Sequence, residues 1–448
     1  MAADPARRVA ADVLLAVDAD GAYANLLLPR LLRDRSISTR DAAFATEICY
    51  GSLRWQGVLD EVTAAASGRD VAALDPPVRA VVRIGAYQLL RMRTPAHAAV
   101  HATVEVARAI CGPKPIGLVN ALLRKVGAHE WDEWVRRLAP SDELGRAAFV
   151  HGFPRWVVAA LAASLGDSGE LDAALSEDRP VTHLVARPGR ISRADLLAQA
   201  GEGATPGPWS PYAVRMAGGD PSSLPAVRAG LAAVQDEGSQ LVALAAADAP
   251  VDVDAGRWLD LCAGPGGKSA LLEALLPARD SAVLLCAEVQ PHRAALVAGA
   301  VGPRARVLVA DARQPAWGAA QFDRVIVDAP CTGLGALRRR PEVRWRRRPE
   351  DVPRLAGLQR ELLNRAVDAL RPGGLVAYVT CSPHLEETRA VVAAVAEGRS
   401  DLARVDARAW LPGVEALGEG PDVQLWPHRH GTDAMYLALL RKSDGAPA

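Results

Sequence analysis

From Val234 onward, short apolar runs alternate with longer stretches of helical periodicity, and no other feature restricts the chain as much. Strands joined through helices lie parallel in one sheet and are covered on both faces, so this region is expected to be α/β. Arg257–Cys262, Ala282–Cys286, Ala305–Val309, Asp323–Asp328 and Gly374–Thr380 read as strands. Lys268–Leu276 and Leu355–Leu370 read as helices, and Pro372-Gly373-Gly374 stops the second.

The preceding chain has a different rhythm. Between about Arg7 and Val126, apolar residues recur at helical spacing: Val9, Val13 and Val17, then Val78, Val81 and Val82, then Leu118, Leu122 and Leu123. An all-α bundle follows, punctuated by Pro76-Pro77, Pro95 and Gly112-Pro113. Next comes a mixed stretch. Ser141-Asp142-Glu143 and Phe153-Pro154-Arg155 open helices, while Val181–Arg187 and Ala213–Met216 read as strands around a Gly/Pro-rich loop. The expected domains are therefore 1–135 all-α, 136–230 α+β linker, and 231–443 Rossmann-like α/β.

Bulk composition excludes more than it assigns. Net charge is zero over 448 residues, so any nucleic-acid surface must be local. Six cysteines with no CxxC pair and no Cys/His ligand spacing argue against a disulfide framework and against a metal site, and suggest a reducing, cytoplasmic setting. The N-terminal stretch reads as an amphipathic helix, and no run is apolar enough for a membrane span. A monomer is expected. Only four of the 52 basic residues are lysine, which makes Lys268 conspicuous.

Lys268 closes the loop Cys262-Ala263-Gly264-Pro265-Gly266-Gly267-Lys268. Glycines directly after a buried strand permit a tight turn and a close approach of backbone to ligand, and the next helix presents its N-terminal amides. Glu288 follows the second strand at the distance of a ribose-binding acid, and Asp311 ends the third. Lys268-Ser269 suggests a phosphate loop, but the paired-glycine spacing of that loop is missing. An adenosyl cofactor without a phosphate chain fits better.

Cys331 and Cys381 each stand at a strand exit downstream of this loop, in DAPC and TCSP. A thiolate is a strong nucleophile, and a second thiol beside it suits covalent chemistry on an electron-poor ring. Cys49, Cys111 and Cys286 read instead as small core hydrophobes. Following the Cys331 loop, the string RRRPEVRWRRR carries seven arginines and a tryptophan. Beside an active-site loop, Arg338, Arg339, Arg340 and Arg344 are candidates for phosphate contact, and Trp345 for stacking on a base.

The strings LDLCAGPGGK, FDRVIVDAPCTGLGALRRRPEVRW, LRPGGLVAYVTCSPHLEET and HGTDAMYLALL resemble, in order, the motifs of the NOP/Sun family of S-adenosylmethionine-dependent RNA cytosine-5 methyltransferases. AVQDEGSQLVA resembles that family's lead-in to the cofactor domain. YGSLRW, PAHAAV and GLVNALLR resemble the NusB RNA-binding fold. The chain departs from the family in Ala434, where glycine is usual, and in Glu288, where a shorter aspartate is common.

The resemblance implies S-adenosylmethionine as cofactor and ribosomal RNA as partner, with methylation at C5 of one small-subunit 16S rRNA cytosine. It also implies that Cys381 adds to C6, that Cys331 assists loss of the C5 proton and release, and that Asp328 and Lys268 serve the base or the catalytic cluster. Asp328 joins the cofactor-site candidates as well. Alternatives are a tRNA or other RNA substrate, a protein or small-molecule methyl acceptor, and a non-catalytic RNA-binding or antitermination factor.

Overall fold

A computed structural model describes residues 4–166, 168–176 and 180–443. The chain forms two compact units: Met1–Ser176 with Arg339–Arg348, and Glu177–Arg338 with Pro349–Ala448. The stretch at 136–230 is shared between them, its early helices in the first and its strands in the second.

The first unit is all-α. Helices Pro5–Ala19, Ala24–Asp34, Thr39–Ser67, Pro76–Arg91, Ala96–Cys111 and Ile116–Val126 pack around Val9, Val13, Val81, Val82, Leu122 and Leu123. Burying each such side chain contributes about 1.5–3 kcal/mol, which is what turns a 3.6-residue apolar period into a bundle. Of three further helices, Trp131–Leu138, Glu143–His151 and Arg155–Leu165, the first two join Trp55, Leu59 and Leu90 in a second apolar cluster. In it Trp131 stacks on Phe149 with centroids 5.6 Å apart. Asp142 caps its helix by accepting from the Gly145 N–H at 2.9 Å, as its position predicts.

The second unit holds two sheets. The smaller comprises β1 (Thr182–Ala186), β2 (Thr205–Pro206), β3 (Ala213–Met216) and β4 (Ala232–Val234), all antiparallel, in the order β2-β3-β1-β4.

The larger sheet contains β5 (Arg257–Asp260), β6 (Val283–Glu288), β7 (Ala305–Val309), β8 (Phe322–Asp328), β9 (Leu370–Thr380), β10 (Leu402–Val405), β11 (Val423–Gln424) and β12 (Tyr436–Lys442). Its order is β10-β12-β9-β8-β5-β6-β7, with β11 on β12. The pairings β5 with β6, β6 with β7, β5 with β8 and β8 with β9 are parallel, as the alternation predicts. An all-parallel sheet is nevertheless not what forms. β12 inserts antiparallel between β9 and β10, reached from β10 through a long connection that carries β11 and the short helix Pro427–His430.

From β5 the chain winds outward through β6 and β7, then returns to the other side of β5 for β8 and β9. That reversal opens a crevice beyond the carboxyl ends of β5 and β8, where open α/β sheets bind ligands. Buried Val325, Ile326 and Val327 in β8 and Val376, Ala377 and Val379 in β9 fix the register that delivers the strand-end residues there. Among the described residues, no single helix is long and apolar enough to cross a membrane, and no group of three or more His, Cys, Asp or Glu is placed to hold a metal ion.

Candidate active site

The glycine loop turns from β5 into helix Gly267–Leu275. Gly266 has φ 108°, and a Cβ there would lie 2.9 Å from the Ala300 Cβ and 3.0 Å from the Val297 Cα, so the loop closes against helix Pro291–Ala300 only over glycine. At Gly264, whose N–H donates to Glu288 Oε2 at 3.1 Å, a Cβ would meet that oxygen at 2.2 Å. Glu288 also accepts from the Gln290 N–H at 2.9 Å and pairs with Arg293 at 3.4 Å, which aims its carboxylate along the loop. Asp260 beneath the loop accepts from the Ser269 hydroxyl at 2.7 Å, and burial pushes its pKa up to about 7.

These residues fit an adenosyl cofactor. The cradle tolerates no side chain at Gly264 or Gly266, backbone amides line the turn, and a fixed acid ends the neighbouring strand. Ala263 is buried in the turn, and burial raises the Cys262 thiol well above its ordinary range. Asp311 is partly exposed; hydrogen bonding from Arg313 holds its carboxyl below the usual range.

The two strand-end cysteines meet. Cys331 Sγ and Cys381 Sγ are 3.4 Å apart, placed by the adjacent parallel strands β8 and β9. Lys268 Nζ donates to Asp328 Oδ2 at 2.8 Å. Burial works against the lysine's charge, but Asp328 outweighs it and the Lys268 pKa is raised.

The thiols are electrostatically unequal. The Cys331 thiol donating to Cys381 lowers the Cys381 pKa against the opposing effect of burial, and the Lys268 charge helps. Cys331 is raised by the same contact, by burial and by the nearby acids. Of the two, Cys381 is therefore the more readily ionised thiol. Sequence alone leaves the group that lowers this thiol's pKa unnamed; in the structure the Cys331 contact acts first and the Lys268 charge second.

Cys49 and Cys286 are buried, with pKa values pushed up by desolvation, as core thiols should be. His430 is also buried. Its Nδ1 accepts from the Trp426 N–H at 2.8 Å, so the residue shapes the turn before β12.

The arginine string requires correction as an RNA contact. Arg338 is 9% exposed, and its guanidinium donates to Asp236 at 3.0 Å and to Asp433 at 3.3 Å. Arg344 is fully buried in the first unit, donating to the Gly152 carbonyl at 2.7 Å and lying 3.8 Å from the Phe153 ring centroid. Trp345 donates to the Arg54 carbonyl at 3.1 Å, and its ring fills the space a side chain at position 57 would need. Buried guanidinium groups with protein partners are not available to phosphates. Arg340 is exposed and Arg339 half-buried.

Sequence reasoning missed Glu387, Thr332, Ser382 and Gln359, which form a buried polar cluster directly behind the cysteines. Asp236 and Asp433, which hold Arg338, were missed too. Their one sequence signal is an acid close to a strand-end motif.

The sheet, the glycine cradle and the paired thiols define the class of protein, a Rossmann-like S-adenosylmethionine-dependent methyltransferase carrying a helical N-terminal domain. Residues 247–441 match the model of the 16S rRNA methyltransferase RsmB/F family, and residues 4–128 match the NusB family. The chain is 54% identical over 449 residues to "Putative methyltransferase Rv1407" of Mycobacterium tuberculosis, covering 98% of this chain and 97% of that protein. It is 33% identical over 415 residues to ribosomal RNA small subunit methyltransferase B of Vibrio cholerae, covering 91% of each. The solved structure of PH0851 shares the fold, with a TM-score of 0.83 at 22% identity over 98% of this chain and 99% of that one. The chain belongs to the RsmB/F family of RNA cytosine-5 methyltransferases.

Proposed function

We propose that the protein methylates C5 of one cytosine in small-subunit 16S ribosomal RNA through a covalent bond between Cys381 and C6 of the base. The observation that carries this reading is the 3.4 Å approach of two thiols at neighbouring strand ends, with Lys268 raising the share of thiolate on one of them. C5 of cytosine is a weak nucleophile, and addition of the Cys381 thiolate at C6 turns the ring into an enamine that is a strong one. S-adenosylmethionine, when bound, supplies the electrophilic methyl group.

Each side chain then has a task. Asp328, held by Lys268, offers its carboxylate to the exocyclic amine, and the Lys268 ammonium offsets negative charge developing on the ring. Cys331, once it has released its own proton to solvent, accepts the C5 proton, after which the sulfur–C6 bond breaks and the Cys381 thiolate is restored. Cys262–Lys268, Glu288 and Asp311 hold the cofactor. Of the named candidates, exposed Arg340 and half-buried Arg339 are the ones that would contact RNA. Because C6 is stacked inside a helix, the target base must lie in a loop or be flipped out, at about a few kcal/mol.

The division into NusB-like 1–135, linker 136–230 and methyltransferase 231–443 assigns rRNA selection to the N-terminal domain of a cytoplasmic monomer. The rRNA substrate is supported by relatives named ribosomal RNA small subunit methyltransferase B. Bisulfite mapping of rRNA from cells with and without the protein tests it. One 16S cytosine should lose protection in the deletion strain; an unchanged pattern removes rRNA as the substrate.

A further inference from the structure

Both catalytic cysteines are followed by a hydroxyl residue, Thr332 after Cys331 and Ser382 after Cys381. Both hydroxyl residues are fully buried, and both point to the same place. Glu387, on the short turn Leu385–Glu387, is also fully buried and takes four donors. Its Oε1 accepts from the Thr332 N–H at 2.8 Å and from the Gln359 side-chain amide at 3.1 Å. Its Oε2 accepts from the Ser382 hydroxyl at 2.7 Å and from the Thr332 hydroxyl. The same Gln359 nitrogen donates to the Pro330 carbonyl at 2.8 Å, one residue before Cys331. The turn itself is pinned by the Tyr378 hydroxyl on the Glu387 carbonyl at 2.7 Å.

A single carboxylate therefore ties the loop after β8 to the loop after β9, one residue beyond each sulfur. Isolated carboxylates are rarely fully buried, and a four-donor set is the arrangement that makes burial tolerable. Packing alone does not call for a charge here, because an apolar side chain would fill the space without needing four partners.

Resting on the assignment of Cys381 and Cys331 above, we propose that Glu387 is the positioning residue that fixes the distance between the two thiols and biases the pair toward its unequal state. Its charge stands on the Cys331 side of the pair and opposes ionisation there. Lys268 favours the Cys381 thiolate, while Asp328 and Asp433 oppose it. Tyr378, with its pKa raised by burial, stays neutral beside them. Glu387 and Lys268 thus act in the same sense, the first against ionisation of Cys331 and the second in favour of ionisation of Cys381. No atom of Glu387 needs to touch RNA or cofactor.

The test is Glu387→Gln in the full-length enzyme, with Glu387→Asp and Ser382→Ala beside it. Methyl transfer to RNA is read together with site-resolved iodoacetamide labelling of the free enzyme as a function of pH. Misplacing reacting atoms by about 1 Å lowers turnover roughly a hundredfold, and that loss of kcat is expected for Glu387→Gln with KM for S-adenosylmethionine within about twofold of wild type. The preference for labelling Cys381 over Cys331 should fall about tenfold, the equivalent of one pKa unit, as the Cys331 inflection moves to lower pH. Glu387→Asp keeps the charge and should retain the labelling preference while losing kcat. Ser382→Ala removes one donor of four and should lower kcat without reordering the thiols, so it serves if Glu387→Gln does not fold. Wild-type kcat and labelling order in Glu387→Gln would overturn the proposal, as would wild-type kcat in a folded Ser382→Ala. Methyl transfer surviving Cys381→Ser would instead overturn the underlying cysteine assignment, since that readout does not involve Glu387.

Discussion

Replacing Arg344 with alanine separates a structural anchor from an RNA contact. The side chain is fully buried, its Nη1 is 2.7 Å from the Gly152 carbonyl, and its guanidinium lies 3.8 Å from the Phe153 ring centroid. A charged hydrogen bond of this kind contributes about 1.5–3 kcal/mol. Stacking on a desolvated ring adds about 1–2 kcal/mol, and relief of the guanidinium's own desolvation offsets part of the sum. A net loss of about 3 kcal/mol follows, and for a unit of this size each kcal/mol lowers Tm by roughly 2–4 °C. The first unit of Arg344→Ala should therefore melt roughly 6–12 °C earlier by differential scanning calorimetry. Titrations of RNA binding against salt, made well below that temperature, should keep the wild-type slope. A phosphate contact behaves in the opposite way. If Tm is unchanged while the log–log salt slope falls by about 0.7, the buried-anchor reasoning is refuted.

Three further perturbations probe the second unit. Lys268→Met removes the cation that favours the Cys381 thiolate, so the pH at which Cys381 begins to alkylate should move upward; an unmoved inflection would show that Lys268 does not act on it. Gly264→Ala drives a Cβ to 2.2 Å from Glu288 Oε2, and S-adenosylmethionine affinity measured calorimetrically should drop by about tenfold or more, roughly 1.4 kcal/mol; an unchanged Kd would contradict the cradle. Arg338→Ala leaves Asp236 and Asp433 buried without their shared cation, and chemical denaturation should report a loss of about 3–5 kcal/mol, against near-zero for an exposed phosphate contact.

The α/β order, the glycine loop and the two strand-end cysteines are legible in the sequence because each is a local signal. A buried strand followed by glycines reads the same in the chain as in the fold. The antiparallel β12 is not legible, since apolar alternation carries no direction and only its pairing with β9 sets it. The arginine string misleads for a related reason. A run of cations looks alike whether solvated or clamped, and what distinguishes Arg344 is Gly152 and Phe153, far away in sequence. Glu387 is hidden in the same way. In HLEET it is one of two adjacent acids, and only the fold shows that Glu387 faces Thr332 and Ser382 while Glu386 is exposed.

Unequal cysteines are the core of this account, and trapping the covalent intermediate measures that inequality directly. Full-length Cys331→Ser incubated with 16S rRNA and S-adenosylmethionine should accumulate an enzyme–RNA adduct that survives denaturing electrophoresis, because the sulfur–C6 bond forms and is not released. Cys381→Ser should give neither adduct nor methylated product. An adduct formed by Cys381→Ser and absent from Cys331→Ser would contradict the assignment and exchange the two roles.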